Sequence, residues 1–519
     1  MTLYQWFIFF LIVQIVHFIG TWKLYEKAGR KSWEAAIPVY NAIVLMKIIN
    51  RPTWWTILLF IPIINLIMFP VVWVETIRSF GKKTTLDTVL VLFTLGLYIY
   101  YINYTQDVTH IKDRSLVSPT KTGDTVSSLL FAIVVATLVH TYVMQPFTIP
   151  TSSLEKTLLV GDFLFVSKFH YGARTPMTTV AAPMVHDTIP LINVKSYLNK
   201  PQLPYFRFPG FEKIDKNDIV VFNWPVDTVF HMYKLSDKHY EKPIDKKTNY
   251  VKRCVGTPGD SLSVRDGIVF IDGKELKLSD RAKPEYSYLA ALDGQTPINF
   301  EFVLKDLDIT DGAGFMTEAR DTLYIKALTL EGAERLKNIP GIKSVTRIIQ
   351  KQSDPTVFPF NKDWNGDNLG PIYIPEAGKT VALNKESLPF YKRIISEYEG
   401  NDLKINGDEI RINGEISTSY TFKQDYYYMM GDNRHNSLDS RYWGFVPADH
   451  IVGKPVFIWM SLDQNIGWNK AIDKIRWERM FTTVGGDGEP YSYFKFFLIA
   501  LAAYFGITYF MKKKKAKNS

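Results

Sequence analysis

Cysteine is all but missing from this chain. Cys254 stands alone among 519 residues, so no intramolecular disulfide can form, and Cys-rich metal sites and thiol catalysis are set aside. The count leaves the compartment open, because a chain facing an oxidising space can simply avoid thiols. Histidine is sparse as well: there are nine, none at a ligand spacing such as His-x-x-x-His, and no metal or other cofactor is expected. No heptad run, long low-complexity tract or repeat of about 20 to 50 residues is present, which excludes coiled-coil and solenoid architectures. The formal charge of +9 would suit a nucleic-acid binder, but Lys512, Lys513, Lys514, Lys515 and Lys517 supply five of those charges in one tail. A basic tail beside an apolar run is a positive-inside signature, so nucleic acid is excluded as a partner. Leu3 to Ile19 lacks a basic n-region and a small-residue cleavage site, so it is an anchor and not a removable leader.

Long apolar runs, by contrast, are plentiful. Leu3 to Ile19, Trp54 to Val74 (interrupted by Pro62 and Asn65), Leu86 to Tyr101, Thr125 to Met144 and Phe494 to Met511 give an expectation of five membrane spans, with the lipid bilayer as a partner. Lys112, Arg114 and Lys121 precede the fourth span and the lysine tail follows the fifth, which places both of those ends inside and residues 145 to 492 outside. The front is contradictory. Lys23, Lys27, Arg30 and Lys31 say inside, yet alternation puts Arg78, Lys82 and Lys83 outside; either the rule is broken there or one span is re-entrant.

The length prior of about 150 residues per domain suggests about three units, and the pattern divides the chain accordingly. A multi-span membrane module covers 1–110 and an anchor 125–144. Asp162 to Lys168, Asp218 to Phe222, Tyr250 to Val255 and Ser261 to Asp272 alternate or run apolar between Pro/Gly punctuation, as short strands do. Strands return at Glu409 to Ile412, Tyr426 to Met430 and His450 to Met460, so a β-rich core is expected over 145–273 and 425–462. Thr322 to Ala327, Leu330 to Asn338 and Ile342 to Ile349 suggest strand, helix, strand within an inserted α+β subdomain over 274–424. A connecting segment, 463–492, leads to the last span, 494–511. Ile-Asn-Gly at 412 to 414 and Ile-Asp-Gly at 271 to 273 signal hairpin turns. The expected fold is thus mainly β, with an inserted α+β subdomain and α-helical transmembrane spans.

Three polar runs carry the chemistry. Ser153 follows Met144 by nine residues, a link of at most about 30 Å, so its hydroxyl would work at the membrane surface. A serine hydroxyl is a poor nucleophile and needs a group to take its proton. Lys252, in Tyr250-Val-Lys-Arg-Cys-Val-Gly-Thr-Pro-Gly-Asp260, is one candidate. An ordinary lysine is neutral in only about one molecule in 2500 at pH 7, so a useful base must be depressed by burial. Strand alternation puts Lys252 on one face with Tyr250 and Cys254, and Arg253 on the other with Val251 and Val255. The bland alternative is a solvated basic pair. The third run, Gly431-Asp-Asn-Arg-His-Asn-Ser-Leu-Asp-Ser-Arg441, could hold the base in place.

Together the three runs resemble type I signal peptidase, the membrane-bound Ser/Lys enzyme that removes signal peptides from exported proteins. The resemblance covers about 145 to 262 and 425 to 460. It implies Ser153 as nucleophile, Lys252 as general base, and Thr151 beside the Ser153 N–H in the oxyanion hole. It further implies Ser437 as the hydroxyl orienting the lysine, with Asp439 and Arg441 as a supporting ion pair and Asp432 as the partner of Arg253. Pro146, Phe147, Ile149 and Pro150 then belong to the strand against which substrate lies, with Ile149 and Val251 near pockets that favour Ala-x-Ala sites. The implied partners are secreted preproteins, with the export translocon as a further candidate. The implied location is the bacterial cytoplasmic membrane, multi-pass, with the catalytic part on the extracytoplasmic side.

The chain departs from that pattern. Ser152 stands where the family has glycine, Leu154, Glu155 and Lys156 where it has Met-x-Pro, and His435 where it has aspartate. The stretch Ala28 to Asn41 resembles a small membrane module of unknown function sometimes fused to such enzymes. Two other enzymatic readings and one non-enzymatic one stand beside it. Ser153-Leu-Glu-Lys156 satisfies the Ser-x-x-Lys motif of penicillin-binding proteins, but the only Lys-Thr-Gly nearby, at 121 to 123, precedes the serine. A Ser-His-Asp site would draw on His170, His186 or His435, yet no Gly-x-Ser-x-Gly surrounds Ser153. A degenerate, non-catalytic membrane scaffold would cleave nothing.

Overall fold

Residues 1–117, 120–229, 239–486 and 488–518 are described in a computed structural model of the chain. They fall into two units. The first holds Met1–Val143, Ala173–Phe208 and a stretch ending at Lys247; the second holds the rest.

In the first unit, α1 runs Leu3–Lys27, begun by the Thr2 hydroxyl, which accepts the Gln5 N–H. Its 25 residues rise about 37 Å, enough for a hydrocarbon core of about 30 Å. Lys121–Val143 is a second helix of sufficient length, and Phe494–Lys514, in the other unit, a third. Among the described residues these three pass by length and composition, or four if a bent pair counts as one. Two of the five expected spans are therefore not continuous helices. Trp54 to Val74 separates into Trp55–Leu58 and Asn65–Ser79, because Pro62 lacks the N–H to extend the first and Ile63 turns into the left-handed region at φ 69°. Leu86 to Tyr101 falls across Thr85–Phe93 and Tyr98–Thr105, bent by 117°.

Side-chain pairing brings the charges of the front region together. Arg51 Nε and Arg114 Nη2 donate to Glu75 Oε2 at 2.9 and 2.6 Å, and Arg78 Nη1 lies 4.0 Å from Oε1. Lys27 donates to the Gln106 carbonyl and Lys82 to Gln106 Oε1, both at 2.9 Å. Residues 27, 51, 78, 82, 106 and 114 thus meet at one end of the unit. The chain leaves that end after Arg51 and after Lys82 and each time returns to it. The opposite end of α1 is tied to Ala173–Phe208 by Trp6 Nε1, which donates to the Gln202 carbonyl at 2.9 Å.

The second unit is built on an antiparallel sheet. Its order is β1 (Met144–Thr148), β2 (Asp162–Ser167), Ile451–Ser461, β3 (Ile219–Asn223), β4 (Asn249–Gly256), Tyr426–Met430 and Val446–Pro447, with Thr482–Thr483 beside Ile451–Ser461. β3 is buried on both faces, which is why it is a continuous apolar run: Ile219 and Val221 join a core with Ile149, Leu154 and Leu164, while Val220 and Phe222 join one with Cys254, Met429 and Trp443. β1 lies at the edge of the sheet and, among the described residues, pairs with β2 alone.

The segment expected as one insertion divides. Glu285–Leu292, Ala313–Phe315, Thr322–Thr329 and Ile342–Arg347 form their own antiparallel sheet, with Phe300–Asp306 and Leu330–Lys337 as helices around a core of Tyr286, Ala290, Ile325 and Leu336. Residues 357 to 422 instead share a core with the Ser261–Ile271 hairpin, where Leu369–Tyr373 pairs with Ser261–Arg265. At Asp272-Gly273 both residues have positive φ, 51° and 78°, matching the right-handed twist of the flanking strands.

Candidate active site

Ser153 lies in one 3-10 turn, Ser152–Leu154, just past the edge strand β1. Leu154 anchors the turn: it is fully buried against Ile149, Leu158 and Leu164. The Asn433 N–H donates to the Ser153 carbonyl at 3.1 Å, which ties the turn to the 431–441 run. Gly431 permits this approach, since a Cβ there would stand 2.6 Å from the Ser153 carbonyl oxygen and 2.3 Å from Ser437 Oγ.

β4 brings Lys252 to the same place. The side chain is buried, only 3% of it exposed, and its Nζ is hydrogen-bonded to Ser153 Oγ. Burial pushes the ammonium down to about 8; Asp439 and Asp432 pull the other way, and Arg441 adds to the depression. At that value roughly one molecule in ten holds a neutral amine at pH 7, some two hundredfold more than an ordinary lysine. The solvated-pair alternative does not fit, for Arg253 is buried as well.

Arg253 turns away to Asp432. Its Nε and Nη2 donate to Oδ1 and Oδ2 at 2.8 and 2.7 Å, its Nη1 donates to the Asn217 carbonyl at 2.7 Å, and the Thr157 hydroxyl donates to Asp432 Oδ2 at 2.6 Å. Burial alone would raise the Asp432 carboxyl; Arg253 and Thr157 outweigh it and hold the group below the usual carboxylate range. Asp439 is held low in the same way, against its own burial, by Arg441, whose Nε and Nη2 donate at 2.9 Å each, and by the Gly431 N–H at 3.0 Å. Arg441 spends its remaining donors on the Arg434 and Gly366 carbonyls, at 2.6 and 3.2 Å. Two desolvated, fully paired ion pairs therefore flank the lysine.

Pro150, Thr151, Ser152, Ser153 and Lys252 line a cavity of about 710 Å³, with Tyr250, Asp311, Asn436 and Leu438 among its other walls. Pro146, Phe147, Ile149 and Val251 are not among that lining. Ile149 is buried, Phe147 and Val251 pack on the same apolar cluster, and Pro146 sits in β1 opposite Phe165. Ser437 departs from the role its resemblance implies: its hydroxyl is buried beside Gly431 and makes no hydrogen bond to Lys252 or any other described group.

The rival arrangements are not assembled. Lys156 Nζ donates to Asp308 Oδ2 at 2.9 Å, His170 Nδ1 bonds Ser167 Oγ at 2.5 Å, and His435 lies between the Ser287 N–H and Asp367 at 3.0 Å from each. Sequence reasoning passed over Asn433, Asn436, Gly431 and Thr157, which lie inside or beside the quoted runs. It had no means of reaching Asp311, more than 150 positions from Ser153 in the chain.

What the geometry allows is specific. A desolvated amine in contact with a hydroxyl, open to a cavity on one side and braced by paired charges on the other, can accept the hydroxyl proton as the oxygen attacks a carbonyl carbon. A family model described as signal peptidase, peptidase S26, matches residues 122–322 and 416–460, and one described as a family of unknown function matches 33–113. A protein called signal peptidase I from Buchnera aphidicola subsp. Baizongia pistaciae is 27% identical over 350 residues, 67% of this chain and 80% of its own length. Signal peptidase I from Haemophilus influenzae is 25% identical over 391 residues, covering 72% and 79%. That of Helicobacter pylori strain 26695 is 26% identical over 371 residues, covering 69% and 92%.

Proposed function

We infer that this chain, which belongs to the signal peptidase S26 family, is a type I signal peptidase, a serine endopeptidase acting on preproteins that carry signal peptides. We propose Ser153 as its nucleophile and Lys252 as its general base. The observation that carries this reading is the buried amine of Lys252 bonded to the Ser153 hydroxyl.

Neutral Lys252 takes the Ser153 proton as Oγ adds to the carbonyl carbon of the scissile bond. The developing oxyanion is met by the Thr151 hydroxyl and the Ser153 N–H. The Lys252 ammonium then returns its proton to the leaving nitrogen, the C–N bond breaks, and the mature chain departs with a new amino terminus. Water, deprotonated by Lys252, attacks the ester and frees the signal peptide as an acid. Arg253 with Asp432, and Arg441 with Asp439, fix the lysine between them.

The free edge of β1 suits an extended substrate, which would add as a strand and be read through its backbone, leaving small pockets to select Ala-x-Ala sites. Pro146, Phe147, Ile149, Pro150 and Val251 belong to this surface. The basic end of the first unit favours the cytoplasmic side, which makes the protein multi-pass in the cytoplasmic membrane with its catalytic unit outside. The bilayer holds the signal peptide's apolar helix in the plane of the anchor, so part of the entropic cost of encounter is met beforehand. The translocon that delivers preproteins is the expected neighbour.

Detergent-solubilised protein incubated with a preprotein should cut it at the small-residue junction, and Ser153→Ala should abolish the cut while the fold persists. Cleavage that survives Ser153→Ala would refute the assignment; a wild-type protein that cuts nothing would favour the scaffold.

A further inference from the structure

Four of the five residues that depart from the family pattern, Ser152, Glu155, Lys156 and His435, share one destination. The Ser152 hydroxyl donates to Asp311 Oδ2 at 3.2 Å, Glu155 Oε1 accepts from the Thr310 hydroxyl at 3.2 Å, and Lys156 Nζ donates to Asp308 Oδ2 at 2.9 Å and lies 4.0 Å from Glu285 Oε1. His435 Nδ1 accepts the Ser287 N–H at 3.0 Å, so its Nε2–H faces Asp367. Every one of these partners belongs to the segment between Glu285 and Asp367. Its first strand, Glu285–Leu292, also joins the 431–441 run directly: the Glu285 N–H donates to the Asp432 carbonyl and the Arg434 N–H to the Glu285 carbonyl, both at 2.9 Å.

Asp311 is the hub. Its Oδ2 accepts from Ser152 Oγ, from Asn433 Nδ2 at 2.6 Å and from Asn436 Nδ2 at 2.8 Å. Asn433 in turn donates its Nδ2–H to the Ser152 carbonyl at 3.3 Å and its backbone N–H to the Ser153 carbonyl at 3.1 Å. One carboxylate oxygen thus ties the residue before the nucleophile to the turn that braces the base. Lys156 supplies a second, independent sign of a clamp. It holds φ 69°, a backbone state costly for a residue with a Cβ, which persists where surrounding bonds over-determine it.

We propose that Asp311 is a positioning residue for Ser153, and that the 308–311 loop clamps the nucleophile turn, doing for Ser152, Glu155 and Lys156 what glycine and proline do in the family pattern. This rests on Ser153 being the nucleophile. The loop fixes the Oγ at bonding reach of Lys252, where a displacement near 1 Å costs about a hundredfold in rate.

The test is steady-state cleavage of a preprotein by the full-length, detergent-solubilised enzyme. Asp311→Ala should lower kcat by about 10- to 100-fold with KM within about twofold of wild type and the apparent pKa of kcat unmoved, because Lys252 keeps its surroundings. Asp311→Asn keeps an acceptor oxygen for the three donors and should retain roughly a third or more of the activity. Should Asp311→Ala fail to fold, the charge exchange decides: Lys156→Asp should lower kcat, and Lys156→Asp with Asp308→Lys should restore most of it. Unchanged kcat in a folded Asp311→Ala protein, or no restoration by the exchange, overturns the clamp. Activity that persists in Ser153→Ala overturns the nucleophile assignment instead, and the two failures are told apart by that variant.

Discussion

Arg253 grips Asp432 through two parallel N–H···O bonds of 2.8 and 2.7 Å, one residue along β4 from the lysine that touches Ser153. Both partners are withdrawn from water, so neither can lose the other without leaving a bare charge in the interior. Arg253→Met or Asp432→Ala should each cost about 3 to 5 kcal/mol, read as a drop of roughly 10 °C in the thermal midpoint. The paired change, Arg253→Met with Asp432→Leu, should recover most of that loss. A midpoint unchanged in either single variant would mean the pair is solvated.

Lys252, as the proposed base, should set the pH dependence. Its ammonium titrates near 8, so kcat should rise with pH and level off above that value, well short of the 10.5 of an ordinary lysine. A rate still climbing past pH 10 would contradict the burial. Stability has the opposite interest. Because the folded value lies below that of the unfolded chain, the unfolded chain binds the proton more tightly. The destabilisation is absent above about pH 10.5, grows as pH falls, and is complete below about 8. Lys252→Met should therefore be inactive yet more stable at pH 7 by up to about 3 kcal/mol, with the gain fading as pH approaches 10.

A proline placed at 156 should do harm. The pyrrolidine ring fixes φ near −65°, whereas this position holds φ 69° and an ion pair to Asp308. Lys156→Pro should lower both the thermal midpoint and kcat, the latter by about tenfold or more, while Lys156→Gly, free to adopt the positive φ, should lose less stability. A proline variant as stable as the glycine one would refute the backbone assignment.

Much of this was legible beforehand, and for definite reasons. β3 announces itself because a strand packed on both faces must be apolar throughout. The divergence of Lys252 and Arg253 follows from alternation alone. Local patterning fails where the answer lies in a distant contact. Pro62 and the bend between Thr85–Phe93 and Tyr98–Thr105 broke two apolar runs that the pattern had offered as continuous spans, and the pairing of Glu75 with Arg51 and Arg114 had no local trace. Asp311 was invisible for the same reason: an acid in a loop is unremarkable until three donors from two other segments meet on it.

Parity gives the two broken apolar runs a test. A segment that turns back adds nothing to the tally of traverses, and among the described residues ahead of β1 the single helices long and apolar enough to cross a bilayer are α1 and Lys121–Val143. An even tally returns a path to the face it set out from. If both broken runs turn back, a small epitope fused ahead of Thr2 should be reachable by antibody from the compartment in which preproteins are cut; if one of them crosses, it should be reachable from the other side alone.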